Sequence, residues 1–145
     1  MFRNRWPLIL DLLVKILLVG VLILARAEPD WSQFRGKAMA TRSIVYPLVA
    51  LVVPVVWWFR GRPRPYPYTV DTLLVAPFAI DTWGNAADLY NTISWWDDAN
   101  HAVNWALLVG AICCGMRRAG LTGWINAALG VGSGAIAAIL WELAE

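Results

Sequence analysis

Charge is scarce in this sequence: 15% of its 145 residues are Asp, Glu, Lys or Arg, against 59% apolar residues and a mean hydropathy of +0.55. Soluble domains carry about a quarter charged residues, so the shortage excludes an ordinary water-soluble globule and places the chain in the membrane class. The net charge of +2 is small and spread along the chain, which excludes the basic footprint of a nucleic-acid-binding protein. Cationic residues are missing altogether between Arg64 and Arg117, whereas Asp71, Asp81, Asp88, Asp97 and Asp98 all fall in that interval. The middle of the chain is therefore acidic, with no basic neighbour in sequence. The two cysteines, Cys113 and Cys114, are adjacent inside an apolar run. A disulfide between neighbours is strained and the C-x-x-C spacing of a metal or redox pair is absent, so both read as small buried hydrophobes. Histidine occurs once, as His101.

What the chain has is apolar runs of membrane length. They predict an all-α integral membrane protein, a single membrane domain over residues 1–145, with about five transmembrane helices near 7–25, 44–59, 68–83, 99–116 and 121–141. The first run covers 19 residues, which as a helix is about 28 Å, enough to cross a bilayer core. Its basic start invites a signal-peptide reading, but the run is long and Ala25-Arg26-Ala27 is a weak cleavage pattern. Asp11 and Lys15 sit four residues apart on one face of it, where each reduces the cost of placing the other in lipid. Residues 27–42 are polar and mixed in charge, without periodicity, and read as a loop or interfacial segment. The second run holds Pro47 and Pro54 and ends in Trp57-Trp58-Phe59-Arg60, an aromatic belt followed by a cation. Gly61-Arg-Pro-Arg-Pro-Tyr-Pro67 is a stiff connection whose arginines read as a topology signal. The third run is bracketed by Asp71 and Asp81, only nine residues apart and about 13 Å along a helix. It is short or re-entrant, or it spans with a carboxylate inside the membrane.

With five spans, seven arginines (Arg3, Arg5, Arg60, Arg62, Arg64, Arg117, Arg118) fall on one side and four basic residues (Arg26, Arg35, Lys37, Arg42) on the other. The excess places the N-terminus in the cytoplasm of a plasma-membrane protein. Membrane lipids are its expected neighbours. Ala127, Gly130, Gly134 and Ala138 recur every three or four residues of the last run and form a small-residue stripe for helix–helix association, most directly with the preceding helix.

The stretch Ile93-Ser-Trp-Trp-Asp-Asp-Ala-Asn-His101 combines the lone histidine with two carboxylates and two tryptophans. On a helix, Asp97 or Asp98 shares a face with His101, and Glu142 shares one with Glu145. The last two runs are joined by only a few residues around Arg117–Gly120, so they are antiparallel and the start of one lies beside the end of the other. Asp97, Asp98, His101, Glu142 and Glu145 then meet at one membrane face, with Asp81 added if the third run spans. Carboxylates and histidine at helical spacings on facing helices are how bundles hold a divalent metal. The rival readings are a helix cap, in which Asp97 or Asp98 starts a helix and holds His101, and a proton-relay or substrate-binding role. The chain reaches Glu145 on the second acidic pair, and a continuation there would bring further ligands.

Two pieces, Trp96-Asp97-Asp98-Ala99-Asn100-His101 and Trp141-Glu142-Leu143-Ala144-Glu145, resemble the aromatic-Asp-x-x-x-His and aromatic-Glu-x-x-Glu helix motifs of the uncharacterised YjdF-like family of small multi-pass bacterial membrane proteins. The likeness covers roughly Asp71 to Glu145 and departs at Asp98, where a basic residue is expected. It implies that Asp97, His101, Glu142 and Glu145 belong together and carries no activity. Phosphatidic-acid-phosphatase-type chemistry, which uses several basic and histidine residues, is excluded by the single histidine and the missing K-x6-R-P pattern. The functional expectation is a membrane protein with an interfacial Asp/His/Glu metal or cation site, acting on a lipid or envelope substrate. The alternatives are a transporter or ion-coupling subunit using Asp11, Lys15 and Asp71, and a structural subunit of a membrane complex.

Overall fold

A computed structural model describes residues 5–143, apart from the side chains of Trp141 and Glu142. Among the described residues the regular elements are all helices: α1 (Trp6–Ala27), α2 (Met39–Phe59), α3 (Tyr68–Ala86), the short α4 (Leu89–Thr92), α5 (Trp96–Arg118) and α6 (Gly123–Glu142). Four of them, α1, α2, α5 and α6, are long and apolar enough to cross a membrane. The fifth long helix, α3, has 19 residues and packs against both α1 and α5.

The distribution of side chains is inverted relative to a water-soluble bundle. Large apolar residues point outward, among them Ile16, Ile23, Ile44, Leu48, Val131 and Ile136, while Asp11, Asp71, Thr72, Thr82, Asn85, Asn100 and Asn126 are buried. Hydrocarbon as solvent accounts for both halves: lipid accepts apolar side chains, and polar groups must find partners inside the bundle. The small apolar core lies between α1 and α3, where Leu18, Leu22, Val75 and Ala79 pack with Val14, Tyr46, Ala50 and Phe78 around them. A second cluster of Ala25, Phe34 and Met39 ties the α1–α2 connection to the bundle.

Several helix ends extend beyond the apolar runs, because polar termini still complete helical hydrogen bonds outside the hydrocarbon, whereas α6 starts two residues inside its run, at Gly123. Residues 39–42, read from sequence as loop, form the first turn of α2, and α3 continues through Gly84–Ala86, past the end of the third run. Pro47 and Pro54 lie inside α2 and Pro77 inside α3, so each helix continues past a missing backbone donor. The α5–α6 turn is tight, with Gly120 and Gly123 at φ of 94° and 69°, values that favour residues without a Cβ.

The antiparallel α5–α6 hairpin is closely packed at two points of the small-residue stripe. A Cβ on Gly130 would stand 2.2 Å from Cys113 Sγ, and one on Gly134 would stand 2.3 Å from Val109 Cγ2. Gly130 and Gly134 are buried, whereas Ala127 is exposed and Ala138 half-buried. The buried Asn126 side chain crosses the same seam and donates to the carbonyls of Cys113 at 3.1 Å and Leu121 at 3.2 Å. Cys113 and Cys114 are free and half-buried.

Candidate functional site

Polar side chains from α2, α3, α4 and α5 converge at the end of the bundle where α3 stops and α5 starts. Asp81, in the last part of α3, is the hub. Its Oδ2 accepts from Arg42 Nη1 at 2.5 Å and from the Tyr46 hydroxyl at 2.8 Å, and these two donors are a helical turn apart on α2. Its Oδ1 accepts from the Tyr90 hydroxyl at 2.8 Å. Asn85, one turn further along α3, donates to the Asp81 backbone carbonyl at 2.9 Å. The network continues into α5: Asn100 Nδ2 donates to the Tyr90 hydroxyl at 2.5 Å, and Asn104 Nδ2 donates to Asn100 Oδ1 at 3.0 Å. A directed chain of donors, Asn104 to Asn100 to Tyr90 to Asp81, thus crosses three elements. Its interior setting strengthens each hydrogen bond and makes any missing partner costly.

The Tyr90 ring has two further neighbours. Lys37 Nζ lies 5.5 Å from the ring centroid and Trp96 meets it edge-on at 6.5 Å. Burial, and after it the neighbouring Asp81 carboxylate, push the Tyr90 phenol above its ordinary range, so it acts as a hydrogen-bond donor.

The network forms one wall of a cavity of about 360 Å³. His101 and Asp97 stand on the rim, and Phe78, Trp105 and Leu108 provide the apolar wall. Asn104 Oδ1 is buried without a partner on that cavity. His101 Nε2 is 3.6 Å from Asp97 Oδ1, one helical turn back on α5.

The residues expected from sequence are distributed as follows. Asp81, Asp97 and His101 share the cavity. Asp97 and Asp98 are exposed in the first turn of α5. Neither caps the helix: the N-cap is Trp95, with no side-chain capping bond, and the two carboxylates instead meet the positive end of the helix dipole. Glu145 and the Glu142 side chain lie outside the described residues. The metal set is not assembled by the rest: among the described residues no group of three or more His, Cys, Asp or Glu could hold a metal ion. The physical reason is that both Asp81 oxygens are taken up by Arg42, Tyr46 and Tyr90, while Asp97 and Asp98 are exposed in the first turn of α5.

Arg42, Tyr46, Asn85, Tyr90, Asn100 and Asn104 are not among the site residues the sequence points to. A signal was present on α5, where Asp97, Asn100, His101 and Asn104 follow the three- and four-residue spacing of one helical face. No comparable pattern marks Tyr90, whose role depends on the turn that carries it.

At the opposite end of α3 a second buried group forms. Lys15 Nζ contacts Asp11 Oδ2 at 3.1 Å and Asp71 Oδ2 at 2.5 Å, and Tyr66 donates its hydroxyl proton to Asp71 Oδ2. Asp71 has no exposed surface and Asp11 retains 3%. A cavity of about 920 Å³ opens at this same end between Arg5, Tyr66, Tyr68, Arg117 and Arg118. Comparison with known proteins finds no matching family model, no similar curated protein and no similar solved structure.

Proposed function

We propose that this chain is a five-span plasma-membrane protein, N-terminus in the cytoplasm, that binds an amphipathic lipid or envelope precursor in the cavity beside Asp81. Support for the orientation comes from the charges at the helix ends. Arg5, Arg60, Arg62, Arg64, Arg117 and Arg118 lie where α1 and α3 start and where α2 and α5 finish; the other end has fewer basic residues, Arg26, Arg35, Lys37 and Arg42, together with Asp81, Asp88, Asp97 and Asp98. Retention of arginine on the cytoplasmic side then puts the cavity at the outer interface.

The observation that carries the reading is the cavity's two-sided lining. Polar groups already fixed by the Asn104–Asn100–Tyr90–Asp81 chain face an apolar wall of Phe78, Trp105 and Leu108. Pockets with a mostly apolar lining and a few convergent polar groups are the usual form of small-molecule sites. At a membrane interface the matching ligand has a polar head and a hydrocarbon tail. Lys37 and the remaining Arg42 N–H groups suit anionic oxygens, Asp97 suits a cationic group, and His101 beside Asp97 supplies an imidazole able to accept or deliver a proton.

Lipid extraction of purified protein tests this. Wild type is expected to retain a defined amphiphile that Trp105→Ala and His101→Ala lose, with helical content unchanged. An identical lipid profile in wild type and both variants would sink the proposal.

A further inference from the structure

The Asp11, Lys15 and Asp71 group is independent of the Asp81 cavity and its charges do not balance. Two carboxylates and one ammonium leave a net negative charge when all three are ionised, at a place where Asp71 is wholly buried and Asp11 nearly so. A buried uncompensated charge in hydrocarbon is expelled by taking up a proton or an ion. A second observation points to the same vacancy in bonding: Asp11 Oδ1 and Asp71 Oδ1 are both buried and neither has a hydrogen-bond partner.

We infer that Asp11 and Asp71 together hold one exchangeable proton, shared between two carboxyl groups that are bridged by Lys15. Bridging by one ammonium keeps both groups in the same pocket, and their two unpartnered oxygens are the acceptors left for that proton. Uptake transfers a proton from a hydronium ion to a carboxylate oxygen, giving water and a neutral carboxylic acid, and brings the group to zero net charge with Lys15 still an ammonium. The other groups facing it are the Tyr66 hydroxyl on Asp71, Thr72 beside Asp11, and Arg64 and Tyr68 on the adjoining cavity. Arg64 is exposed and makes no ion pair with either carboxylate among the described contacts. No charged side chain of α5 takes part in the described hydrogen bonds or ion pairs of the group.

The group is also open on one side. A cavity of about 700 Å³ lined by Asp11, Trp57, Arg64 and Tyr66 reaches it from the arginine-rich end. Toward the other end the packed side chains of Leu18, Leu22, Val75 and Ala79 close the α1–α3 interface. The proton therefore exchanges with water at the arginine-rich face.

Infrared difference spectroscopy on the full chain, in an ester-free detergent and stepped from neutral to alkaline pH, reads this directly through the carboxylic-acid C=O stretch. Wild type is expected to show one protonated carboxyl at neutral pH. That band should vanish in Asp11→Asn and equally in Asp71→Asn, because either change leaves one carboxylate paired with one ammonium. Lys15→Met should double it, since both acids then need a proton. Absence of the band in wild type, or its survival in both Asp→Asn variants, overturns the assignment. So does its loss on replacing choline chloride by sodium chloride at fixed neutral pH, which would make the site one for a metal cation.

Discussion

Gly84 lies beneath the indole of Trp96 so closely that a Cβ on the glycine would stand 2.6 Å from Trp96 Nε1 and 3.0 Å from Tyr90 Cε2. The contact is where α3 passes the start of α5, and Trp96 is packed edge-on against Tyr90. The added methyl would meet both rings of this edge-on pair at once, and both are stiff aromatic groups rather than the ends of flexible chains. Gly84→Ala is therefore expected to force both aromatics outward, at a cost in the ~1–3 kcal/mol range of overpacked sites, and to break the Tyr90 link in the network. Thermal unfolding in detergent measures the first effect and amphiphile retention the second. A variant with wild-type melting temperature and wild-type lipid profile would show the contact to be slack.

The ion group predicts an asymmetry among its three members. Removing Lys15 leaves two carboxylates around an empty centre, whereas removing Asp11 leaves a balanced Lys15–Asp71 pair with Tyr66 still donating to Asp71. Loss of one partner of a buried ion pair costs ~3–5 kcal/mol. Lys15→Met should approach that cost at neutral pH, where its folded form has to keep both acids protonated, and regain part of it on acidification, as the unfolded chain no longer gains by ionising the same two acids. Asp11→Asn should lie well below it. Melting curves of the two variants across the acid range decide the matter, and equal destabilisation by both would contradict the charge count.

Two tyrosines outside the long helices give a prediction at the alkaline end. Burial raises the Tyr66 phenol above its ordinary range, with the hydrogen bond to Asp71 adding to it, and burial followed by Asp81 raises that of Tyr90. An unfolded tyrosine loses its proton near pH ~10. Below that pH both states keep the proton and the contribution to stability is complete. Above it the unfolded chain releases protons that the folded chain retains, so stability falls as pH rises. Tyr66→Phe and Tyr90→Phe should each flatten that decline, although both lower stability at neutral pH by removing a hydrogen bond. Unfolding midpoints measured on either side of pH ~10 give the slope for each variant.

Most of the helical layout is legible in the residues because hydrocarbon imposes a long apolar run on any helix facing it. The Asp11–Lys15 contact follows from a four-residue spacing, and the placing of Asp97 and His101 beside Asp81 was expected only on the condition that the third run spans. The weak point was α3. Its inward-facing Asp71, Thr72, Thr82 and Asn85 lower its hydropathy, since a central helix meets other helices rather than lipid and carries polar groups where a peripheral one carries leucine. The partners of those groups were not legible either. Lys15 and Asp71 are 56 residues apart, and Arg42 and Tyr46 reach Asp81 only because of how α2 is rotated against α3. No spacing within one segment encodes that rotation.

Whether α3 crosses decides which residues share a compartment, and reporter fusions after Arg64, Trp95 and Arg118 settle it. Arg64 precedes α3, Trp95 lies between α3 and α5, and Arg118 ends α5. The arginines around the first and third junctions, and the absence of Lys and Arg around the second, predict cytoplasmic reporter activity after Arg64 and Arg118 and external activity after Trp95. A re-entrant α3 would return the chain to its starting side, so that the Arg64 and Trp95 fusions would agree and the Arg118 fusion would be the odd one. Such a result would put Asp81 and Asp71 on the same face and remove the outer-interface cavity, whereas alternation keeps the two polar groups at opposite ends of one helix, separated by the Leu18, Leu22, Val75 and Ala79 layer.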